Sequence, residues 1–358
     1  MRILHLVLAP RLSGAEVLAK DLAIHQQRSG ETVGIASLMP QHDDFASLRV
    51  ELEANAVTCL FPTKVHGPPG KLWHLDRMVR RFRPDVIFAH ATIPAFYARA
   101  LPIAAPVVYV MHSAANDFER GLLRRVERML SRRARAVIAV SPANVDDYVG
   151  AIGHHPLMMV IPNGVDMARF GDAAHVEREP RQTQPTIVQI GRYTTVKNQM
   201  QTVHAFQDVA KWVPAARLLL YGVVEDAAYY QAVNERVNKL GLADRVVVGG
   251  PRSDVSRLLF DANVYAMPSK SEGHSIAFLE ALASGIPVLA SAIRPFAFAA
   301  DFASVQLIDT DDTQAYTQAL VVALSQSRAQ RPLAGLTLKD TADRYLAVAQ
   351  RVIQASAA

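Results

Sequence analysis

The chain is predicted to be an α/β protein of two doubly wound, parallel-sheet domains. Its 358 residues are too many for one ordinary core and suit two domains of roughly 150 to 200 residues. Short aliphatic runs recur along it, continuous rather than alternating, as strands covered on both faces must be. Amphipathic stretches separate these runs, the mark of βαβ crossovers.

The runs form two consecutive series. The first is "RILHLVL" (2–8), "TVGIAS" (32–37), "DVIFAH" (85–90), "PVVYVM" (106–111) and "AVIAV" (136–140). The opening "MRILHLVLAP" reads as a buried first strand and not as a secretory leader, because "LSGAE" follows with no small-residue cleavage site. The second series is "TIVQIG" (186–191), "RLLLYG" (217–222), "RVVVGG" (245–250), "NVYAMP" (263–268) and "PVLAS" (287–291). Between them, "VIPNGVDMARF" (160–170) is turn-rich and "GDAAHVEREPRQTQP" (171–185) is polar and Pro-flanked. The predicted domains are therefore 1–165 and 166–335, with a last helix in 336–358 expected to pack back toward the first. No internal repeat or low-complexity tract interrupts this plan.

Composition narrows the class. Half the residues are hydrophobic and a fifth charged, so the chain is globular and not disordered. A single cysteine, Cys59, excludes an internal disulfide framework and suits a reducing compartment. No apolar run reaches the roughly 18 residues of a membrane-spanning helix. The net charge of +5 lies wholly in residues 1–150, where 19 Lys and Arg face 14 Asp and Glu. Within them "ERGLLRRVERMLSRRAR" (119–135) holds seven arginines. Leu122, Leu123, Val126, Met129 and Leu130 recur there at helical spacing, leaving Arg124, Arg125, Arg128 and Arg132 on the other faces. Two roles are open to that basic face: an ordinary solvated surface, or one that meets anionic lipid or a pyrophosphate-linked acceptor. Nucleic acid is not expected, since no recognition motif accompanies the charge.

Two segments carry the chemistry. "PSKSEGHSIAFLEA" (268–281) follows a predicted strand and enters a helix near Ser275. A glycine loop at a helix N-terminus offers free backbone N–H groups and the positive end of the dipole, a cradle for a diphosphate. Glu272 lies in that loop. Glu280 lies in the helix, whose side chains lean back toward its start, so it can reach the same place and accept bonds from a vicinal diol. In "GRYTTVKNQ" (191–199), Arg192 and Lys197 follow another strand end and can neutralise a departing diphosphate. Elsewhere, "DTDD" (309–312) is read as acidic capping of the next helix and not as a metal motif. His154 and His155 lack ligand spacing. His90 ends a strand, where acceptor contact and plain packing are both open. No Ser-His-Asp order is present.

In order along the chain, "SGAE" (13–16), "RPDVIFAHA" (83–91), "VSPANVDDY" (140–148), "IPNGVD" (161–166), "GRYTTVK" (191–197) and "SEGHSIAFLEALASGIPVLAS" (271–291) resemble the signposts of the retaining GT-B glycosyltransferases of family 4. The resemblance covers nearly the whole chain. It implies two Rossmann-like domains facing across a cleft. Glu280 would hold the donor ribose, and Glu272 would support positive charge at the anomeric carbon. The backbone of Gly273, His274, Ser275 and Ile276 would line the sugar and diphosphate. Arg192 and Lys197 would bind the diphosphate, Gly14 would let backbone approach the phosphates or the acceptor, and His112 would touch the donor sugar.

The implied activity is transfer of a sugar from a nucleotide-sugar, UDP-linked first and GDP-linked next, to a hydroxyl of a glycan or lipid-linked acceptor in surface polysaccharide or lipopolysaccharide biosynthesis. It would proceed with retention and with neither cofactor nor metal. The expected location is the cytoplasm, with peripheral attachment to the anionic inner face of the cell membrane. A sugar-nucleotide epimerase and a non-catalytic nucleotide-sugar binder are the alternatives. Three departures from the family pattern stand out: Ser13 in place of the first glycine of the N-terminal pair, His274 and Ser275 after the Glu-Gly, and "AIRPFAFAADF" (292–302) where relatives carry a Gly-Gly-Glu-like element.

Overall fold

The structure, a computed structural model, describes residues 1–112, 115–170 and 184–357. The chain divides into two units, Met1–Gly164 with Gly335–Ala358, and Val165–Ala334. Most of the polar segment expected between the two series, 171–183, lies outside the described residues.

The first unit holds a seven-stranded sheet: β1 (Arg2–Val7), β2 (Thr32–Ser37), β3 (Thr58–Leu60), β4 (Val86–His90), β5 (Val107–Met111), β6 (Ala136–Ala139) and β7 (Met158–Val160). Its order is β3-β2-β1-β4-β5-β6-β7, every pairing parallel. The second unit holds six strands: β8 (Thr186–Ile190), β9 (Arg217–Tyr221), β10 (Val246–Gly249), β11 (Val264–Met267), β12 (Val288–Ser291) and β13 (Val305–Ile308). Their order is β10-β9-β8-β11-β12-β13, again all parallel. The continuous apolar runs are accounted for: β4, β5, β6, β11 and β12 are buried at every position. β3, β7 and β13 are additions to the ten predicted strands. Each is a three- or four-residue edge strand, too short and too partly exposed to leave a periodic signal.

Strand order reverses direction between β1 and β4 in one sheet and between β8 and β11 in the other. In open parallel sheets, the loops at the carboxyl ends of strands flanking such a switch point diverge and leave a crevice. Both chemistry-bearing segments of the second unit emerge there, residues 191–199 after β8 and 268–275 after β11.

The C-terminal helix Leu338–Ala357 belongs to the first unit. Tyr345 lays its ring 5.1 Å from that of Phe88 on β4, and the Thr341 hydroxyl donates to the Pro162 carbonyl at 3.0 Å. In the "IPNGVD" turn a Cβ on residue 164 would stand 2.2 Å from the Thr337 carbonyl oxygen, which is why Gly164 occupies it. The "DTDD" segment caps as expected, with Asp312 accepting from the Ala315 N–H at 3.0 Å.

The arginine-rich helix, Gly121–Leu130, half-buries Leu123, Val126 and Leu130 as its periodicity predicts, and departs from that reading at one edge of the stripe. Its buried residue is Glu127, while Leu122 and Met129 are 72% and 74% exposed. Leu122 and Met129 share one side, and Glu127 lies about 140° round from Leu122. The cause is a fixed ion pair. Arg99, on helix Thr92–Ala100, donates from both terminal nitrogens to the two Glu127 oxygens at 2.9 and 2.6 Å, and the Tyr148 hydroxyl donates to one of them at 2.7 Å. Neither charged side chain has any exposure. Arg124, Arg125, Arg128 and Arg132 are exposed, with Arg128 donating to the Ala151 carbonyl at 2.8 Å.

Candidate functional site

The loop after β8 is built to present Lys197. Gln189, buried in that strand, donates through Nε2 to the Lys197 carbonyl at 2.8 Å. Gln199 donates to the carbonyls of Gly191 and Arg192 at 3.1 and 3.0 Å. Asn198 takes a left-handed conformation, φ 54°, and starts helix Gln199–Trp212. The Lys197 methylenes then lie over Gly191, where an added Cβ would sit 3.4 Å from Cδ. From the neighbouring strand β11, the Lys270 N–H donates to the Val196 carbonyl at 2.8 Å and ties the two loops together.

Across that tie, Lys197 Nζ donates to Glu272 Oε1 at 2.5 Å, with the two side chains 14% and 9% exposed. Ser275 caps helix Ile276–Ala283, its hydroxyl accepting from the Phe278 N–H at 3.4 Å, so the first N–H groups of the helix open at the same loop. Glu280, one turn in, is 6% exposed, and its Oε1 lies 3.6 Å from Arg169 Nη1. Both glutamates lie near the buried Tyr265 hydroxyl. Burial first, then the charges of Glu272 and Glu280, push that phenol well above its ordinary pKa. The two glutamates thus belong to one electrostatic site and are each partnered, Glu272 by Lys197 and Glu280 by Arg169.

Lys197, Glu272, Gly273, His274, Ser275, Ile276 and Glu280 fall within this one loop-and-helix arrangement. Arg192 lies in the same loop but is half-exposed and paired with Glu225. Arg169, on the short turn Met167–Arg169, had no sequence signal: nothing in "VDMARF" links it to a glutamate 111 positions on. His274 stacks on Phe298, ring centroids 5.4 Å apart, and burial pulls its pKa down to about 4, so it is neutral. Two departures from the family pattern, His274 and the 292–302 loop, are therefore one packed feature.

In the first unit, Gly14 opens helix Gly14–Arg28 behind the cap residue Ser13, whose hydroxyl bonds Glu16. His112 directly follows β5 and is partly exposed. His90 does not face an acceptor. It is 1% exposed, and its two ring nitrogens are engaged by His5 at 2.9 Å and His112 at 3.1 Å, leaving nothing to offer a sugar. That contact is corrected to a buried, internal role.

Among known proteins, the Glycosyltransferase Family 4 domain matches residues 12–169 and the Glycosyl transferases group 1 domain matches residues 172–330. A glycogen synthase of Mycobacterium tuberculosis is 29% identical over 227 residues, 60% of this chain and 53% of that protein. A GDP-mannose-dependent alpha-(1-6)-phosphatidylinositol monomannoside mannosyltransferase of the same species is 31% identical over 183 residues, 47% of this chain and 46% of its own. The chain thus spans about half the length of these curated relatives. Among solved structures, Anabaena Alr3699/HepE in complex with UDP and glucose superposes with a TM-score of 0.74 at 20% identity, covering 100% of this chain and 98% of that one. The likeness is one of fold: the two parallel-sheet domains are those of the GT-B glycosyltransferases.

Proposed function

Because the chain belongs to the GT-B glycosyltransferases that pair a family 4 domain with a group 1 domain, we propose that it transfers a sugar from a nucleotide-sugar to a hydroxyl acceptor with retention of configuration. The observation that carries this is the Lys197–Glu272 pair, sequestered at the β8/β11 switch point beside a capped helix N-terminus. Departure of a nucleoside diphosphate builds negative charge on the leaving oxygen and positive charge at the anomeric carbon. Lys197, the helix N–H groups and, once turned from Glu225, Arg192 meet the first, and Glu272 meets the second. Fixed cations of this kind fill the place a divalent metal takes elsewhere, so no metal is required. Glu280 holds the ribose diol. The roles of Gly14 toward the phosphates or the acceptor, and of His112 toward the donor sugar, rest on the family resemblance alone.

UDP-sugars are the first donors to try, as UDP is the nucleotide bound by the HepE structure, and GDP-sugars the second, from the name of the mannosyltransferase relative. Labelled UDP- and GDP-sugars, a bacterial lipid extract as acceptor and EDTA throughout form the test. Glycolipid product with the donor's anomeric configuration is expected. An epimerised nucleotide-sugar formed without acceptor, or loss of transfer in EDTA, overturns it.

A lipid-linked acceptor, and peripheral attachment to the membrane that carries it, are favoured by helix Gly121–Leu130. It buries an ion pair and turns Leu122 and Met129 outward among arginines. Among the described residues no helix is long and apolar enough to cross a membrane. An amphipathic face of this kind rests on a bilayer instead, each arginine contributing about 1 kcal/mol near anionic lipid. Vesicles containing phosphatidylglycerol should bind the protein at low salt, and the Leu122→Asp, Met129→Asp double variant should lose most of that binding while keeping its fold. Equal binding by the variant, or none by the wild type, removes the membrane role.

A further inference from the structure

A chain of three imidazoles crosses the first sheet and ends at His112. His5 in β1, His90 at the end of β4 and His112 after β5 are linked in series: His5 Nδ1 to His90 Nε2 at 2.9 Å, and His90 Nδ1 to His112 Nε2 at 3.1 Å. The far end is anchored by Gln26, near the end of helix Gly14–Arg28, with Oε1 2.8 Å from His5 Nε2. His5, His90 and Gln26 are buried to within 1%. The amide nitrogen of Gln26 is also buried and has no partner among the described residues, where the bond its side chain makes is to His5.

Burial holds all three imidazoles neutral: His5 and His112 are pulled down to about 4 and His90 well below its ordinary value, helped by its two neighbours. A neutral imidazole has one N–H and one bare nitrogen. An amide oxygen only accepts, so His5 carries its proton on Nε2 and its Nδ1 is bare. His90 must then donate from Nε2, which leaves its own Nδ1 bare. His112 in turn must donate from Nε2. One oxygen, on Gln26, thereby dictates the proton position on a ring two imidazoles away.

We infer that Gln26 is a positioning residue which, through His5 and His90, keeps His112 as the Nε2–H tautomer with Nδ1 as a bare hydrogen-bond acceptor. On the reading that His112 touches the donor sugar, from which this follows as a refinement, the group it takes is a hydroxyl that donates a proton. A phosphate or carbonyl oxygen finds no donor there. The choice of partner is set by the core of the domain and not by the ring at its surface.

The test is nitrogen NMR of the full-length protein with 15N-labelled histidine, His112 being assigned from the spectrum of His112→Asn. The wild type should show His112 protonated at Nε2 and bare at Nδ1. In Gln26→Met, which keeps the volume and removes the acceptor, the His112 signals should move toward the other tautomer, and sugar transfer should fall about three- to tenfold, the weight of one neutral hydrogen bond. Nucleotide binding should be unchanged. A wild-type His112 protonated at Nδ1 overturns the inference without need of any variant, and so do His112 signals that ignore Gln26→Met. Absence of transferase activity beside the expected tautomer counts against the proposed function and leaves the relay standing.

Discussion

Lys197→Ala is expected to lower kcat by about 10²- to 10³-fold, the range found when a single preorganised charge-stabilising donor is removed. On the proposed mechanism the loss should fall on turnover more than on the KM for the nucleotide-sugar, because the charge Lys197 would meet develops only as the diphosphate leaves. Stability should fall as well. Glu272 is only 9% exposed, and without Lys197 its carboxylate keeps its burial and loses its partner. Steady-state kinetics and thermal denaturation on the same preparation separate the two effects. Wild-type turnover in Lys197→Ala would remove the lysine from the chemistry, even if the midpoint dropped.

Glu127→Ala should be among the most damaging substitutions in the first unit, at about 3–5 kcal/mol, since it leaves the wholly buried Arg99 guanidinium unpaired. The Tyr148 hydroxyl loses its acceptor in the same step. Replacing both ends at once, Arg99→Met with Glu127→Leu, should recover much of this, because no charge is then stranded. Chemical denaturation of the three variants reads the comparison directly. A single variant as stable as the wild type would mean that water reaches Arg99 and that the pair does not set the face helix Gly121–Leu130 turns inward.

The doubly wound plan was legible because strands covered on both faces cannot be written without continuous apolar residues, and those runs were long enough to see. β3, β7 and β13 were not, because an edge strand of three or four residues needs no such run. That Lys197, Glu272 and Glu280 need partners was legible, since charged residues at strand ends and in an apolar helix demand them. Their pairing was less so: Glu280 with Arg169 depends on where the turn Met167–Arg169 comes to lie, which spacing does not encode. In helix Gly121–Leu130 the outward turn of Leu122 and Met129 was missed for a related reason. Periodicity finds an apolar stripe but not its direction, and Arg99 lies 28 residues from the Glu127 it buries. The histidine relay had one visible trace, a histidine within the otherwise apolar "RILHLVL". His5 could have been suspected there, but not Gln26, which reaches it from a helix.

Stabilisation by nucleoside diphosphates tests the central claim most directly, with UDP, GDP and ADP added separately to the wild type and to Glu280→Ala. At a hundred times its dissociation constant a ligand adds about 2.7 kcal/mol, well within reach of a melting experiment. One nucleotide, UDP first, should raise the midpoint of the wild type, and Glu280→Ala should lose most of that rise if, as proposed, Glu280 is the acceptor of the ribose diol. No response to any of the three, or an equal response in Glu280→Ala, would contradict a nucleotide-sugar site built on Lys197, Glu272 and Glu280.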